Sequence, residues 1–80
     1  MFIVYVLYSK TYDKIYIGFT SNLDERLKSH NELGKGWTKS FRPWIILYTE
    51  EYTDKKEALK REMQLKSAAG RLFIRSLINK

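Results

Sequence analysis

The chain has 80 residues, enough for one small domain around a single core. Lys and Arg number 15 against 9 Asp and Glu, a formal charge of +6 that puts polyanions, nucleic acid above all, first among partners. A 44% hydrophobic and 15% aromatic content excludes a disordered basic tail, and the lack of cysteine excludes zinc fingers, disulfide scaffolds and thiol nucleophiles.

Residues 2–8 and 15–19 are rich in β-branched and aromatic side chains, and the stretch from Lys10 to Asp13 between them reads as a turn. The apolar start lacks a basic leader and a small-residue cleavage site, so it reads as a strand and the expected location is the cytoplasm. A turn centred between Thr11 and Tyr12 makes paired residue numbers sum to 23. Val4, Val6 and Tyr8 then share a face with Phe19, Ile17 and Ile15, while Tyr5 sits opposite Gly18 and Leu7 opposite Tyr16. Ser21 or Asn22 caps a first helix running to about His30. Residues 31–43 form a long loop, and Trp44 to Tyr52 a third strand. Asp54, with Glu57 three residues on, opens a second helix over 55–66. Gly70 breaks the pattern, and the pairs Phe73/Leu77 and Ile74/Ile78 mark a short last helix. The order β-β-α-β-α-α predicts an α+β class, a three-stranded antiparallel sheet with helices packed on it, as one domain over 1–80.

Several positions carry chemistry. Tyr5 and Tyr16 fall on one sheet face beside Gly18, whose open backbone suits close approach of a ligand; tyrosines are also good strand residues, and Gly18 could simply end a strand. Arg26 and His30, the chain's single histidine, stand at i,i+4 on the stripe of Leu23 and Leu27. A packed histidine and a solvated arginine would give the same spacing. Glu62 is sharper. It falls inside the apolar arc of Ala58, Leu59 and Leu65, and an inward carboxylate needs a metal, hydrogen bonds or a counter-charge such as Arg26 or a lysine. In the loop, Lys35, Lys39 and Arg42 alternate with Trp37, Phe41 and Trp44, the mix that binds phosphates and stacks on bases, though solvated lysines around packed aromatics look alike.

Together these positions resemble the GIY-YIG nuclease family over essentially the whole chain. Tyr16-Ile17-Gly18 matches the second half of the signature, and Ile3-Val4-Tyr5 stands for the first half, 11 residues upstream between tyrosines. Arg26 lies 8 residues past Gly18, His30 follows one turn later, and Glu62 takes the family's glutamate position. Compact stand-alone members are most similar. The first glycine is missing, Phe19 stands where the excision-repair branch has lysine, and Asn79 is the single late candidate for the family's asparagine near the metal.

The resemblance implies an endonuclease that hydrolyses DNA phosphodiester bonds with one divalent ion, Mg²⁺ or Mn²⁺, held by Glu62. Tyr5 would be the general base, Tyr16 would orient the water or a phosphate oxygen, and Arg26 would stabilise charge on phosphorus. His30 would assist Tyr5. Lys35, Trp37, Lys39 and Arg42 would bind DNA, whether duplex, branched or otherwise structured. A binding module of the same fold that does not cut stands as the alternative.

Overall fold

The computed structural model describes residues 1–33 and 40–79. Strands β1 (Phe2–Ser9), β2 (Lys14–Thr20) and β3 (Ile45–Tyr52) form one antiparallel sheet in the order β2-β1-β3. The hairpin register is the expected one, with Val4 opposite Phe19, Tyr5 opposite Gly18 and Leu7 opposite Tyr16. Asp13 closes the turn at φ 53, a left-handed conformation that Asp tolerates through its short polar side chain. Trp44 lies just outside β3.

Helices α1 (Leu23–Lys28), α2 (Lys55–Lys66) and α3 (Ala68–Ile78) complete the α+β fold. The first helix does not stop near His30. From Ser29 to Leu33 it widens into a π-helical turn that carries His30. Asn22, not Ser21, is its cap: the amide oxygen accepts the backbone N–H of Glu25 at 3.2 Å.

The central strand is buried on both faces, so it feeds two cores at once. Val4 and Val6 meet Ile17, Ala58, Leu65 and Ile74 on the α2–α3 side. Tyr5 and Leu7 meet Trp44, Leu23, Leu27 and Phe41 on the α1 side. Leu59 departs from expectation: α2 turns Ala58 and Leu65 inward and leaves Leu59 42% exposed, so the buried arc is narrower than the apolar residues suggest. On β3, Glu50 accepts hydrogen bonds from the hydroxyls of Tyr48 and Tyr52, and from Arg61 Nε of α2 at 3.0 Å. Burial opposes charge on Glu50, but these donors prevail and hold its carboxyl below the usual range. The cluster ties β3 to α2.

Gly70 does not break a helix; it lies inside the first turn of α3. The break is at Ser67, which ends α2 and caps α3. A Cβ on Gly70 would stand 2.3 Å from the Gln64 carbonyl oxygen and 2.5 Å from the Leu65 Cα, so glycine is there to let two helix backbones meet. Among the described residues no helix is long and apolar enough to cross a membrane.

Gly70→Ala would gain about 1 kcal/mol of helix propensity. The clash is with backbone, which cannot swing aside, and overpacking of this kind costs about 3 kcal/mol or more. Destabilisation should win, lowering the melting temperature by roughly 8 °C or more. A calorimetric scan showing an unchanged or raised melting temperature would mean that the α2–α3 corner opens freely.

Candidate active site

The hairpin register turns Tyr5 toward α1, where its ring is almost wholly buried. A Cβ on Gly18 would stand 2.7 Å from the Tyr5 hydroxyl and 2.9 Å from Cζ. This corrects the expectation that Gly18 opens backbone to a ligand. The space above it is filled by the protein's own phenol. Tyr16 lies alongside, its ring stacked on Tyr5 with centroids 6.2 Å apart.

The π turn delivers His30 to the same place. The imidazole is buried, with Nε2 at 3.3 Å from the Tyr5 hydroxyl and the ring 4.5 Å from that of Tyr16. Burial, then the nearby Arg26 charge, pushes the His30 pKa below its usual 6.5. The ring is therefore neutral at pH 7 and can accept a proton at Nε2 when Nδ1 carries the hydrogen. Burial, reinforced by Tyr16, pushes the Tyr5 phenol up to about 12; Arg26 opposes this through a hydrogen bond and its charge, and Glu62 adds a smaller upward push. Arg26 itself is exposed.

Glu62 is directed inward as its position on α2 suggests, with 13% of its side chain exposed. Its counter-charge is Lys66, whose Nζ donates to Oε1 at 3.0 Å. Tyr16, Arg26 and His30 thus surround the Tyr5 phenol, and Glu62 is near enough to act on it through its charge. No group of three or more His, Cys, Asp or Glu side chains assembles a metal cage among the described residues. A lone carboxylate does fit a hydrated Mg²⁺ or Mn²⁺, which takes one or two protein oxygens and completes its shell from water and phosphate. Lys66 is half exposed and would have to swing aside.

Lys35, Trp37 and Lys39 lie outside the described residues. Arg42 is described: its Nη1 donates to the Asn31 carbonyl at 3.0 Å, tying the loop's end to the helix. Asn31 escaped the sequence reading, since nothing local marks it. Its amide grips the Trp44 backbone twice, accepting from N–H at 2.6 Å and donating to the carbonyl at 3.0 Å. Trp44 in turn packs edge-on to Tyr16, centroids 6.4 Å apart. Asn79 caps the end of α3 and is exposed.

Gly18→Ala should fold yet force the Tyr5 ring off His30, at a cost of about 1–3 kcal/mol. With the phenol displaced and water admitted, the His30 pKa followed by NMR should rise back toward its ordinary value. A pKa and melting temperature that both stay put would show that the ring yields without moving the site.

The GIY-YIG catalytic domain family matches residues 1–73. A UPF0213 protein of Staphylococcus haemolyticus is 38% identical over 66 residues, 80% of this chain and 78% of that protein. A UPF0213 protein of Lactiplantibacillus plantarum is 46% identical over 56 residues, 65% of this chain and 54% of that protein. The solution NMR structure of a UPF0213 protein from Bacillus halodurans superposes with a TM-score of 0.56 and 30% identity, covering 96% of this chain and 85% of that one. With the signature tyrosines, Gly18, Arg26 and Glu62 brought together in this fold, the chain belongs to the GIY-YIG family.

Proposed function

We propose that the protein is an endonuclease that hydrolyses DNA phosphodiester bonds with the aid of one divalent ion. The observation that carries this reading is the Tyr5 hydroxyl beside a neutral, buried His30, with Arg26 and Glu62 acting on the same phenol. Neither a binding surface nor a plain core requires that combination.

With its pKa near 12, only about one Tyr5 in 10⁵ is ionised at pH 7, so a free phenolate is not the base. Tyr5 instead takes a proton from the attacking water as its own passes to Nε2 of His30. The new P–O bond forms, the bond to the leaving sugar oxygen breaks, and the imidazolium returns its proton to that oxygen or to solvent. Arg26 stabilises the charge that builds on the phosphoryl oxygens. Tyr16 holds the water or a phosphate oxygen by its hydroxyl. An ion held by Glu62 would supply charge neutralisation at the phosphate and the leaving oxygen.

The second reading is a nucleic-acid-binding module that does not cut. The Lys66–Glu62 pair favours it, because the carboxylate is already satisfied without a metal. Nicking of supercoiled plasmid with and without Mg²⁺ or Mn²⁺, followed by a panel of duplex, branched and single-stranded substrates, separates the two.

Glu62→Ala should abolish metal-dependent cleavage and leave DNA affinity nearly unchanged; a variant that cuts at the wild-type rate removes the metal role. Single-turnover rates should fall about 10²–10⁴-fold in Tyr5→Phe and less in Tyr16→Phe, as losing a base costs more than losing an orienting hydrogen bond. The reverse order exchanges their roles. The cleavage rate should climb with pH along a limb lying below 6.5, where His30 loses its proton, and level off above it. His30→Gln should cut slowly and lack that limb; if the limb survives, His30 is not the proton acceptor.

A further inference from the structure

Between the edge strand β2 and the α2–α3 corner runs an open cleft of about 480 Å³. Four cationic side chains line it, Lys14, Lys66, Arg71 and Arg75, against one carboxylate, Asp13. They come from β2, α2 and α3: Arg71 and Arg75 stand at i,i+4 on α3, and the fold brings Lys14 and Lys66 beside them. Two residues of the cleft also touch residues of the candidate active site. Tyr16 lines it and also packs on His30, and Lys66 lines it and also bonds Glu62. Two of its basic groups are held in place: Arg75 Nη1 donates to Asp13 Oδ1 at 2.6 Å, and Arg71 Nε donates to the Lys66 carbonyl at 3.4 Å. Lys14 instead carries its ammonium to the Phe41 ring, 5.5 Å away, on the α1 side of the sheet.

A cleft walled on one side by apolar strand residues concentrates the field of the cations along its length. Guanidinium groups match phosphate oxygens with paired N–H donors. We propose that this cleft holds the sugar–phosphate backbone flanking the phosphate at Tyr5, with Arg71 and Arg75 as phosphate contacts. The occupant is a polynucleotide and not a free anion, because the cations of α2 and α3 share a cleft of about 480 Å³, more than one phosphate fills. The reading of that phosphate as the one being cut rests on the nuclease function above; the binding itself does not require cutting.

The test is fluorescence anisotropy with a fluorescein-labelled DNA duplex in EDTA, titrated with salt. Arg71→Gln with Arg75→Gln should weaken binding about ten-fold or more at low salt and flatten the log–log salt slope by about 1.8, two phosphate contacts' worth. Lys56→Gln with Lys60→Gln removes the same charge from the surface around Leu59 and Met63 and should change affinity about three-fold or less. Asp13→Asn keeps a residue that tolerates φ 53 while releasing Arg75, and should tighten binding. Should the arginine pair lower the melting temperature, Asp13→Asn carries the test on its own, and a folded Asp13→Asn protein that binds no more tightly than wild type overturns the proposal. Equal losses from both double variants, or a folded arginine variant that binds as wild type, would overturn the proposal. If the cleft variants lose binding in a protein that never cuts, the nuclease reading fails and this one stands. If the protein cuts and its cleft variants bind normally, the outcome is reversed.

Discussion

Everything at the candidate site depends on the missing Cβ of Gly18 under the Tyr5 ring. The contact exists because the two residues are paired across the hairpin, and the hairpin allows only that register. A one-residue slip would turn Val4 and Val6 out of the α2–α3 core and bring Tyr5 into it, so the hydrophobic pattern and the site geometry enforce each other. The strand carrying the phenol is also the strand buried on both faces. Rigidity at Tyr5 is therefore a by-product of the same packing that stabilises the domain.

The electrostatic design follows from that burial. Packing raises the proton affinity of the phenol and lowers that of the imidazole, which moves the two groups apart on the pH scale. In the ground state the proton stays on Tyr5. Positive charge beside the hydroxyl favours release of that proton, and the Arg26 guanidinium acts in this direction. The π turn serves this arrangement: it is what brings His30 inward, while Arg26, four residues earlier on the helix, remains exposed.

What the sequence made legible was local or periodic. Strand alternation with a compact turn predicted the pairing of Tyr5 with Gly18, and the helical arc predicted that Glu62 points inward, with the lysine counter-charge among the options weighed. The bounds 55–66 of α2 match because Asp54 caps one end and Ser67 closes the other. The failures share a different cause. Gly18 and Gly70 were read by glycine's own habits, as an opening and as a breaker, whereas both are fixed by a neighbour's atoms at under 3 Å. Asn31 and Glu50 act across the fold, at separations that no spacing rule addresses. Leu59 shows the limit of the arc argument, since a sheet this small covers less of a helix than its apolar residues would fill.

Asn31 leaves one more consequence. By gripping the Trp44 backbone from 13 positions away, it pins both ends of the intervening segment to the same spot, beside His30 and Tyr16. Doubling the length of such a segment costs only about 0.6 kcal/mol of closure entropy. A longer connection between the two anchors therefore costs the fold little as long as the Asn31 amide keeps its hold on Trp44.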